Sequence, residues 1–143
     1  MRVYQTESRE QTVAAGRDFA RVLRRGDIVA FSGDLGAGKT AFCEGIASLL
    51  CPGAEVSSPT FVIVQEYEGN IPIFHFDLYR IGSFDELYNI GFFDYLERGG
   101  VCLIEWSENI PELLDEPHYA VDIRVTGAGS RSITITEKRG ETP

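Results

Sequence analysis

Residues 33–40 read Gly33-Asp34-Leu35-Gly36-Ala37-Gly38-Lys39-Thr40 and match the phosphate-binding loop pattern G-x-x-x-x-G-K-[ST]. Glycines let the backbone curl until successive N–H groups point at a polyphosphate. The Lys39 ammonium would bind the outer phosphates, and the Thr40 hydroxyl would ligate Mg²⁺. A Gly-rich turn before an ordinary helix would not need Lys-Thr at this place. We therefore expect the loop to contact phosphates through Asp34, Leu35, Gly36, Ala37 and Gly38.

The residues on both sides of this loop fit a strand before it and a helix after it. Residues 27–32 form a short, mostly apolar run that is typical of a buried strand. After the loop, apolar side chains recur on one helical face at Phe42, Ile46, Leu49 and Leu50. Strand, loop and helix follow in the order that the motif requires. The helix N-terminus would add its partial positive charge at the phosphates.

Length and composition are those of one soluble globular domain. The chain has 143 residues, of which 43% are hydrophobic and 24% are charged. No apolar run approaches the length of a membrane span, and residues 1–7 lack the apolar core of a signal peptide. We therefore expect a cytoplasmic protein that contacts no membrane.

The cysteines and histidines show no metal-ligand spacing. Three cysteines without a C-x-x-C pair (Cys43, Cys51 and Cys102) argue against a disulfide framework. Cys43 and Cys102 lie in apolar segments and are expected to be small, buried core residues. The histidines, His75 and His118, are isolated and do not make a zinc site. The sequence therefore gives neither residue type a functional role.

The net charge of −9 is unevenly distributed along the chain. Residues 1–50 hold 7 basic and 6 acidic residues, whereas residues 51–143 hold 6 basic and 16 acidic ones. An acidic surface repels a nucleic-acid backbone, so the chain is not expected to bind nucleic acid by itself. It suits a basic protein partner, although solubility alone also explains the charge.

The remaining patterns predict helices and strands that complete an α/β domain. Ser8-Arg9-Glu10-Gln11 is a capping box that opens a first helix, with Arg24 and Arg25 in its last turn and Gly26 at its end. Further strands are predicted over residues 61–67, 71–76, 101–104, 119–125 and 131–136. One or two short helices, interrupted near Gly91, are predicted within residues 83–96.

These elements predict a three-layer P-loop NTPase-like fold. Its central sheet would be mixed but largely parallel, and the last two strands would form a C-terminal antiparallel hairpin. We expect a single domain over residues 1–143, with a core of about residues 8–136 and a frayed tail over residues 137–143.

Two apolar strands end in a carboxylate, namely Asp77 after residues 73–76 and Glu105 after residues 101–104. In sheets of this kind the ligand lies at the carboxyl ends of the strands, where the phosphate loop also lies. A nucleoside triphosphatase needs a carboxylate near Mg²⁺ and a group that orients the attacking water. Spacing alone does not say which acid has which role.

Three further residues are candidates with an ordinary alternative each. Thr60 in Ser58-Pro59-Thr60 could sense a γ-phosphate and Mg²⁺, but taken on its own it is better explained by a plain turn before a strand. Trp106 follows Glu105 directly and could shape the site or fill the core. Arg80 could stabilise charge in the transition state or stay solvated.

Four segments in this order and spacing resemble the TsaE family, also called YjeE. This is a family of small bacterial ATPases required to form threonylcarbamoyladenosine at position 37 of certain tRNAs. The segments are residues 33–40, Ser58-Pro59-Thr60-Phe61, His75-Phe76-Asp77-Leu78-Tyr79-Arg80 and Leu103-Ile104-Glu105-Trp106. The resemblance covers residues 8–136, and the four segments together are specific. One departure is Ser107, where many family members carry Pro.

The resemblance implies ATP and Mg²⁺ as cofactors and weak hydrolysis that partners stimulate. The partners would be TsaD, which performs the carbamoyl transfer, and TsaB, and hydrolysis would reset their complex between turnovers. The chain would meet tRNA only through that complex.

The resemblance also implies roles for single residues. Lys39 and Thr40 would hold phosphate and Mg²⁺. Glu105 would be the second Mg²⁺ ligand and Asp77 would orient water or act as general base, with a reversed assignment left open. Thr60 would be the switch threonine at the nucleotide, and Trp106 would shape the nucleotide site or the partner face. These residues, with Lys39, Asp77 and Glu105 as the catalytic set, make up the predicted site.

Two other functions are compatible with a phosphate-binding loop in a domain of this size. A small-molecule or protein kinase would release a phosphorylated product instead of free phosphate, but the chain leaves little room for an acceptor domain. A nucleotide-gated binding module would tolerate the loss of Glu105. Both remain alternatives to the ATPase subunit at the level of the sequence.

Overall fold

The computed structural model describes residues 1–33, 38–56 and 63–138, and the side chains of Glu108 and Leu114 are not described. The strands are β1 (Arg2–Thr6), β2 (Ile28–Gly33), β3 (Val64–Tyr67), β4 (Ile73–Asp77), β5 (Val101–Glu105), β6 (His118–Gly127) and β7 (Ser130–Lys138). The helices are α1 (Arg9–Ala20), α2 (Lys39–Leu50), α3 (Phe84–Asn89) and α4 (Phe92–Glu97). Two short 3₁₀ helices follow β5, at Ser107–Asn109 and Pro111–Asp115.

In the described ranges, seven strands form one mixed sheet in the order β1-β7-β6-β2-β5-β4-β3. The central strands β6, β2, β5 and β4 run parallel to one another. Antiparallel neighbours close both sides, with β7 and β1 on one side and β3 on the other. This confirms the predicted mixed sheet with a parallel centre and the C-terminal hairpin of β6 and β7.

Side chains of successive strand residues point to opposite faces of the sheet, and each face has its own core. Val29, Phe31, Val101 and Leu103 lie in the core that α1 and α2 cover. The residues between them, such as Cys102 and Ile104, lie in the core under α3, α4 and the 3₁₀ helices. The continuous apolar runs of the central strands follow from this burial on both faces, and the predicted three layers are confirmed.

Helices α1 and α2 pack so closely that each helix needs a glycine where they meet. A Cβ atom on Gly16 would lie 2.1 Å from the carbonyl oxygen of Phe42, and one on Gly45 would lie 2.0 Å from that of Val13. The Arg17 guanidinium also donates a 3.0 Å hydrogen bond to the carbonyl of Ser48. Because α2 follows the phosphate loop, this contact fixes the helix that begins at the candidate site.

The opposite layer is built from short helices and aromatic rings. Gly91, at φ 87°, separates α3 from α4, as the predicted interruption required. Phe76 of β4 contacts Phe92 at a ring-centroid distance of 5.1 Å and Tyr95 at 5.4 Å. Large rings on the sheet thereby anchor two six-residue helices that are too short to be stable alone.

The first helix begins as predicted but ends earlier. The Ser8 hydroxyl accepts a hydrogen bond from the Gln11 backbone N–H at 3.1 Å, as in a capping box. The helix ends at Ala20, so the prediction that Arg24 and Arg25 lie in its last turn is wrong. Residues 21–23 bond three residues back and tighten the chain. The side chain of Asp27 then binds the Arg24 N–H at 2.7 Å.

Strand β1 was not predicted, and β7 is longer than predicted. In β1 the pattern of apolar residues is weak because it is an edge strand with mostly exposed side chains, and it pairs only with β7. Strand β7 includes Glu137 and Lys138, which pair with Tyr119 and His118 of β6. Residues 139–143 lie outside the described part of the chain.

Candidate functional site

The carboxyl ends of three neighbouring parallel strands meet at one edge of the sheet. Glu105, the last residue of β5, pairs in register with Phe31 of β2 on one side and with Asp77 of β4 on the other. The alternation that places Phe31 and Leu103 on the α2 face also places both acids there. Asp77 and Glu105 are therefore together at the edge from which the phosphate loop leaves.

Gly33 ends β2 and opens the phosphate loop in a conformation that requires glycine. Its φ is +120°, which side chains rarely allow, and a Cβ atom would lie 2.0 Å from the carbonyl oxygen of Ile123 on β6. The backbone at Gly33 therefore lies in close contact with strand β6. Asp34, Leu35, Gly36 and Ala37 lie outside the described residues.

The phosphate loop ends at Gly38, which caps α2 in a left-handed conformation with φ 96°. Lys39 and Thr40 are the first two residues of the helix, and the Thr40 residue is exposed. The N–H groups of this first turn have no partner within the helix, and together with the helix dipole they favour an anion. The fold thus places Lys39, Thr40 and a positive helix end beside the strand ends that carry Asp77 and Glu105.

A buried histidine holds the Glu105 side chain. The Nε2 atom of His75 lies 3.0 Å from Oε2 of Glu105, and the two side chains are only 2% and 16% exposed. His75 is not among the residues of the predicted site, so the structure adds a residue to the candidate site. The sequence could have indicated His75 as a residue of this site, since it stands two positions before Asp77 and therefore lies on the same face of β4.

The pKa of the Cys43 thiol depends on its burial and on two charged residues of the candidate site. Burial raises the pKa of the Cys43 thiol well above its usual value, and the negative charge of Glu105 raises it further. The positive charge of Lys39 lowers the same pKa. Cys43 is one helical turn after Lys39, and the charges of Lys39 and Glu105 shift the pKa of its thiol in opposite directions. The predicted burial of Cys43 and Cys102 is confirmed.

Asp77 is bound by its own loop. Its Oδ1 atom accepts a 2.9 Å hydrogen bond from the backbone N–H of Tyr79, and its own N–H donates to the carbonyl of Ile63 at 2.8 Å. An aspartate that accepts from the backbone two residues on forms a local turn. Asp77 is partly exposed at the sheet edge, and its side chain also shapes the loop that follows β4.

Trp106 turns the chain sharply after Glu105. At φ 63° it is the one non-glycine residue with a positive φ in the described ranges, and its ring meets Tyr79 edge-on at a centroid distance of 5.0 Å. The Asn109 amide donates to the carbonyl of Leu78 at 2.9 Å. The loops after β4 and β5 are therefore tied together, so Asp77 and Glu105 share one connected surface.

Comparison with known proteins gives the chain its family. Residues 6–133 match the model of the threonylcarbamoyl adenosine biosynthesis protein TsaE. The chain belongs to the TsaE family. It is 39% identical over 134 residues to the tRNA threonylcarbamoyladenosine biosynthesis protein TsaE of Bacillus subtilis, covering 93% of this chain and 84% of that protein. It is 35% identical over 130 residues to the protein of the same name from Treponema pallidum, covering 91% and 96%.

A solved structure agrees with this membership. The crystal structure of Bacillus subtilis YdiB superimposes with a TM-score of 0.80 and 33% sequence identity, covering 97% of this chain and 86% of that one. The resemblance to the TsaE family drawn from four sequence segments is confirmed, and so is the α/β fold class. Membership of this family does not favour the kinase alternative.

The two remaining candidates from the sequence are Thr60 and Arg80. Thr60 lies outside the described residues, so its proximity to the nucleotide stays a prediction. Arg80 is described and exposed, at the end of the turn that Asp77 organises. Lys39, Thr40, Asp77, Glu105 and Trp106 are all at the carboxyl edge of the sheet or directly beside it.

The described residues fit a nucleoside triphosphate with Mg²⁺. Gly33 and Gly38 border the loop that would cradle phosphate, and Lys39 begins the helix next to it. Thr40 and Glu105 offer the oxygen ligands that Mg²⁺ prefers. In residues 1–33, 38–56 and 63–138 no cluster of three or more His, Cys, Asp or Glu could hold a metal ion. Mg²⁺ bound with phosphates needs only one or two protein ligands, so it requires no such cluster.

A cavity of about 330 Å³ lies at the other edge of the sheet. It is lined by the starts of β2 and β6 and the end of β7, including Asp27, His118 and Glu137. It shares no residue with the cluster around Glu105. Among the described helices, none is long and apolar enough to cross a bilayer.

Proposed function

We propose that the chain is an ATP-binding and ATP-hydrolysing subunit that is required to form threonylcarbamoyladenosine at position 37 of tRNAs, acting with TsaD and TsaB. The family supplies the pathway, since its members carry this biosynthesis in their names. The chemistry rests on one observation, which is that Glu105 ends β5 directly beside β2, the strand that leads into the phosphate loop. Placement next to that strand is what a carboxylate near Mg²⁺ requires.

Strand order favours Glu105 over Asp77 as the carboxylate near Mg²⁺. Neighbouring strands are about 4.8 Å apart, so Asp77 on β4 begins one strand further from the loop than Glu105. We assign Mg²⁺ to Thr40 and Glu105, and the outer phosphates to Lys39. Asp77, on the same face of the sheet, would orient the attacking water or act as general base. Mg²⁺ would stabilise the charge that develops on the transferred phosphoryl group.

The electrostatics support action through protein partners. The acidic half of the chain, residues 51–143, makes direct contact with a tRNA backbone unfavourable. TsaD and TsaB would then bind the tRNA, and this chain would couple ATP hydrolysis to their cycle. The connected loops around Asp77 and Trp106 are partly exposed and would report the nucleotide state to a partner.

The test is ATP hydrolysis by the purified chain alone and with TsaD and TsaB, with and without Mg²⁺. We expect weak hydrolysis alone and faster release of free phosphate in the complex. Removing the Lys39 charge with Lys39→Ala should abolish both activities, whereas Lys138→Ala, at the opposite edge of the sheet, should leave them unchanged. No stimulation by partners, or a phosphorylated acceptor in place of free phosphate, would contradict the proposal.

A further inference from the structure

The environment of His75 in the described structure is unusual for a buried polar side chain. The residue is almost completely buried, yet only one of its two ring nitrogens has a partner. Its Nε2 atom is bonded to Glu105, and its Nδ1 atom is buried without any hydrogen-bond partner. Buried polar atoms are nearly always paired, so this arrangement calls for a physical reason.

The hydrogen-bond partners determine where the imidazole proton lies. A carboxylate can only accept, so the hydrogen on the 3.0 Å contact belongs to Nε2 of His75. The Nδ1 atom then carries a bare lone pair, and a buried acceptor without a partner is tolerated better than a buried N–H without one. The geometry therefore selects the tautomer that donates to Glu105.

This bond fixes one Glu105 oxygen and leaves the other free. In the described residues no hydrogen-bond partner reaches Oε1, whereas Oε2 is bound to a ring that is packed inside the sheet. Glutamate has three side-chain torsions, and at 16% exposure the carboxylate would otherwise sample several orientations. The His75 ring stands on β4, the neighbouring strand, so the sheet itself sets the orientation.

We propose that His75 is a positioning residue that orients the Glu105 carboxylate so that its free oxygen faces the Mg²⁺ of the bound nucleotide. This inference rests on the proposed function, because it assumes that Glu105 is a metal ligand. Residues that hold a metal ligand from behind commonly change metal affinity by about 10–100-fold when they are replaced. His75 touches neither the nucleotide nor water in this role, and it acts only through Glu105.

The test compares two replacements of His75 by their affinity for Mn²⁺ in the presence of ADP, measured by electron paramagnetic resonance. His75→Phe keeps a ring of similar shape but removes the donor, and we expect Mn²⁺ to bind about 10–100-fold more weakly. His75→Gln can place an amide N–H close to the Nε2 position, so it should recover much of the affinity. Equal affinity for wild type and His75→Phe would overturn the proposal.

His118 offers a matched control, because it is a second buried histidine with one bonded nitrogen. Its Nδ1 atom lies 2.8 Å from the Glu116 carbonyl, at the opposite edge of the sheet. His118→Phe should leave the Mn²⁺ affinity unchanged, whatever it does to the free energy of unfolding. A parallel loss in both variants would mean that the His75 effect is structural, and this result also overturns the proposal.

A double substitution separates action through Glu105 from a general effect on the fold. In a Glu105→Gln background, His75→Phe should cause no further loss of Mn²⁺ affinity, because the group it positions is already gone. Additive losses would contradict the proposal.

The donor can be tested without metal by ¹⁵N NMR of the imidazole, where we expect hydrogen on Nε2. Absence of hydrogen from Nε2 overturns the positioning role even if the ATPase proposal holds. Failure of the wild-type chain to bind Mn²⁺ with ADP instead overturns the proposed function together with this inference.

Discussion

The ends of β4 and β5 are alike in sequence pattern but are held in different ways. Each strand is a buried apolar run that finishes with a carboxylate, and Asp77 and Glu105 are register partners on one face of the sheet. Glu105 is held from outside its own strand, by the buried ring of His75. Asp77 is bound by its own loop, through the backbone N–H of Tyr79.

Because the two neighbouring acids are held in different ways, they can have separate roles. A carboxylate held by another strand keeps its orientation when the loop beyond it moves, which suits a ligand for a metal ion. A carboxylate that organises a turn is coupled to the conformation of that turn, which suits a group whose position changes with the nucleotide state. The two strand ends can therefore be tested separately by substitution.

The largest effect is expected at Glu105. Glu105→Gln keeps the shape of the side chain and an oxygen that can accept from His75, but it removes the negative charge. Loss of a preorganised electrostatic group commonly costs about 10²–10³-fold in kcat. The steady-state rate of phosphate release with the partners should fall by that factor, and the free energy of unfolding should stay nearly constant. Wild-type rates in this variant would show that the two strand ends do not differ as proposed.

A smaller effect is expected at Asp77, where two substitutions separate chemistry from structure. Asp77→Asn keeps an oxygen for the Tyr79 N–H but cannot act as a base, so kcat should fall by about 10²-fold at constant stability. Asp77→Ala also removes the turn hydrogen bond, which should lower the free energy of unfolding by about 1 kcal/mol. Chemical denaturation and phosphate release measure the two effects. If Asp77→Asn is as active as wild type, Asp77 only shapes the loop.

The connection between the two loops should contribute less again. Tyr79→Leu removes the edge-on contact with Trp106, and such aromatic pairs contribute about 0.5–1.5 kcal/mol beyond their buried area. We expect a loss of about 1 kcal/mol in the free energy of unfolding and a broader Trp106 fluorescence signal. Tyr88→Leu is the control, since Tyr88 is similarly exposed and its ring contact is with Phe93, so this variant should leave the Trp106 fluorescence unchanged. The same change in Trp106 fluorescence in both variants would mean that the loops are not coupled through Tyr79 and Trp106.

The sequence predicted the parts of the fold that repeat a strong pattern. The strand before the phosphate loop and the helix after it, the apolar strand β5 and the interruption at Gly91 each follow from local rules. Strand β1 was not predicted because an exposed edge strand has few buried side chains, so its sequence lacks a clear apolar pattern. Helix α1 ends early because the backbone N–H of Arg24 donates a hydrogen bond to the Asp27 side chain, and this bond competes with continuation of the helix.

The sequence predicted the two carboxylates of the candidate site, but it did not predict the histidine that holds one of them. Asp77 and Glu105 stand out because an acid that ends an apolar strand is visible in one sequence. The contact of His75 with Glu105 joins residues thirty positions apart, and it depends on β4 lying next to β5. Nothing in the sequence shows that order of strands. The role of an isolated histidine on a strand can be inferred only when the register between that strand and its neighbour is known.

The smallest effect concerns Cys43, whose thiol responds to the charges of the site. Burial raises the pKa of Cys43, the Glu105 charge raises it further and the Lys39 charge lowers it. Glu105→Gln should therefore lower the pKa of Cys43, and Lys39→Ala should raise it. Cys102 is the internal control, because burial alone raises its pKa to about 12 and neither charge contributes. The pH dependence of thiol reactivity in chains with a single cysteine measures both. Opposite shifts at Cys43 with none at Cys102 would show that the charges of Lys39 and Glu105 both act on this thiol, whereas unchanged titration in both variants would show that neither charge is close enough to do so.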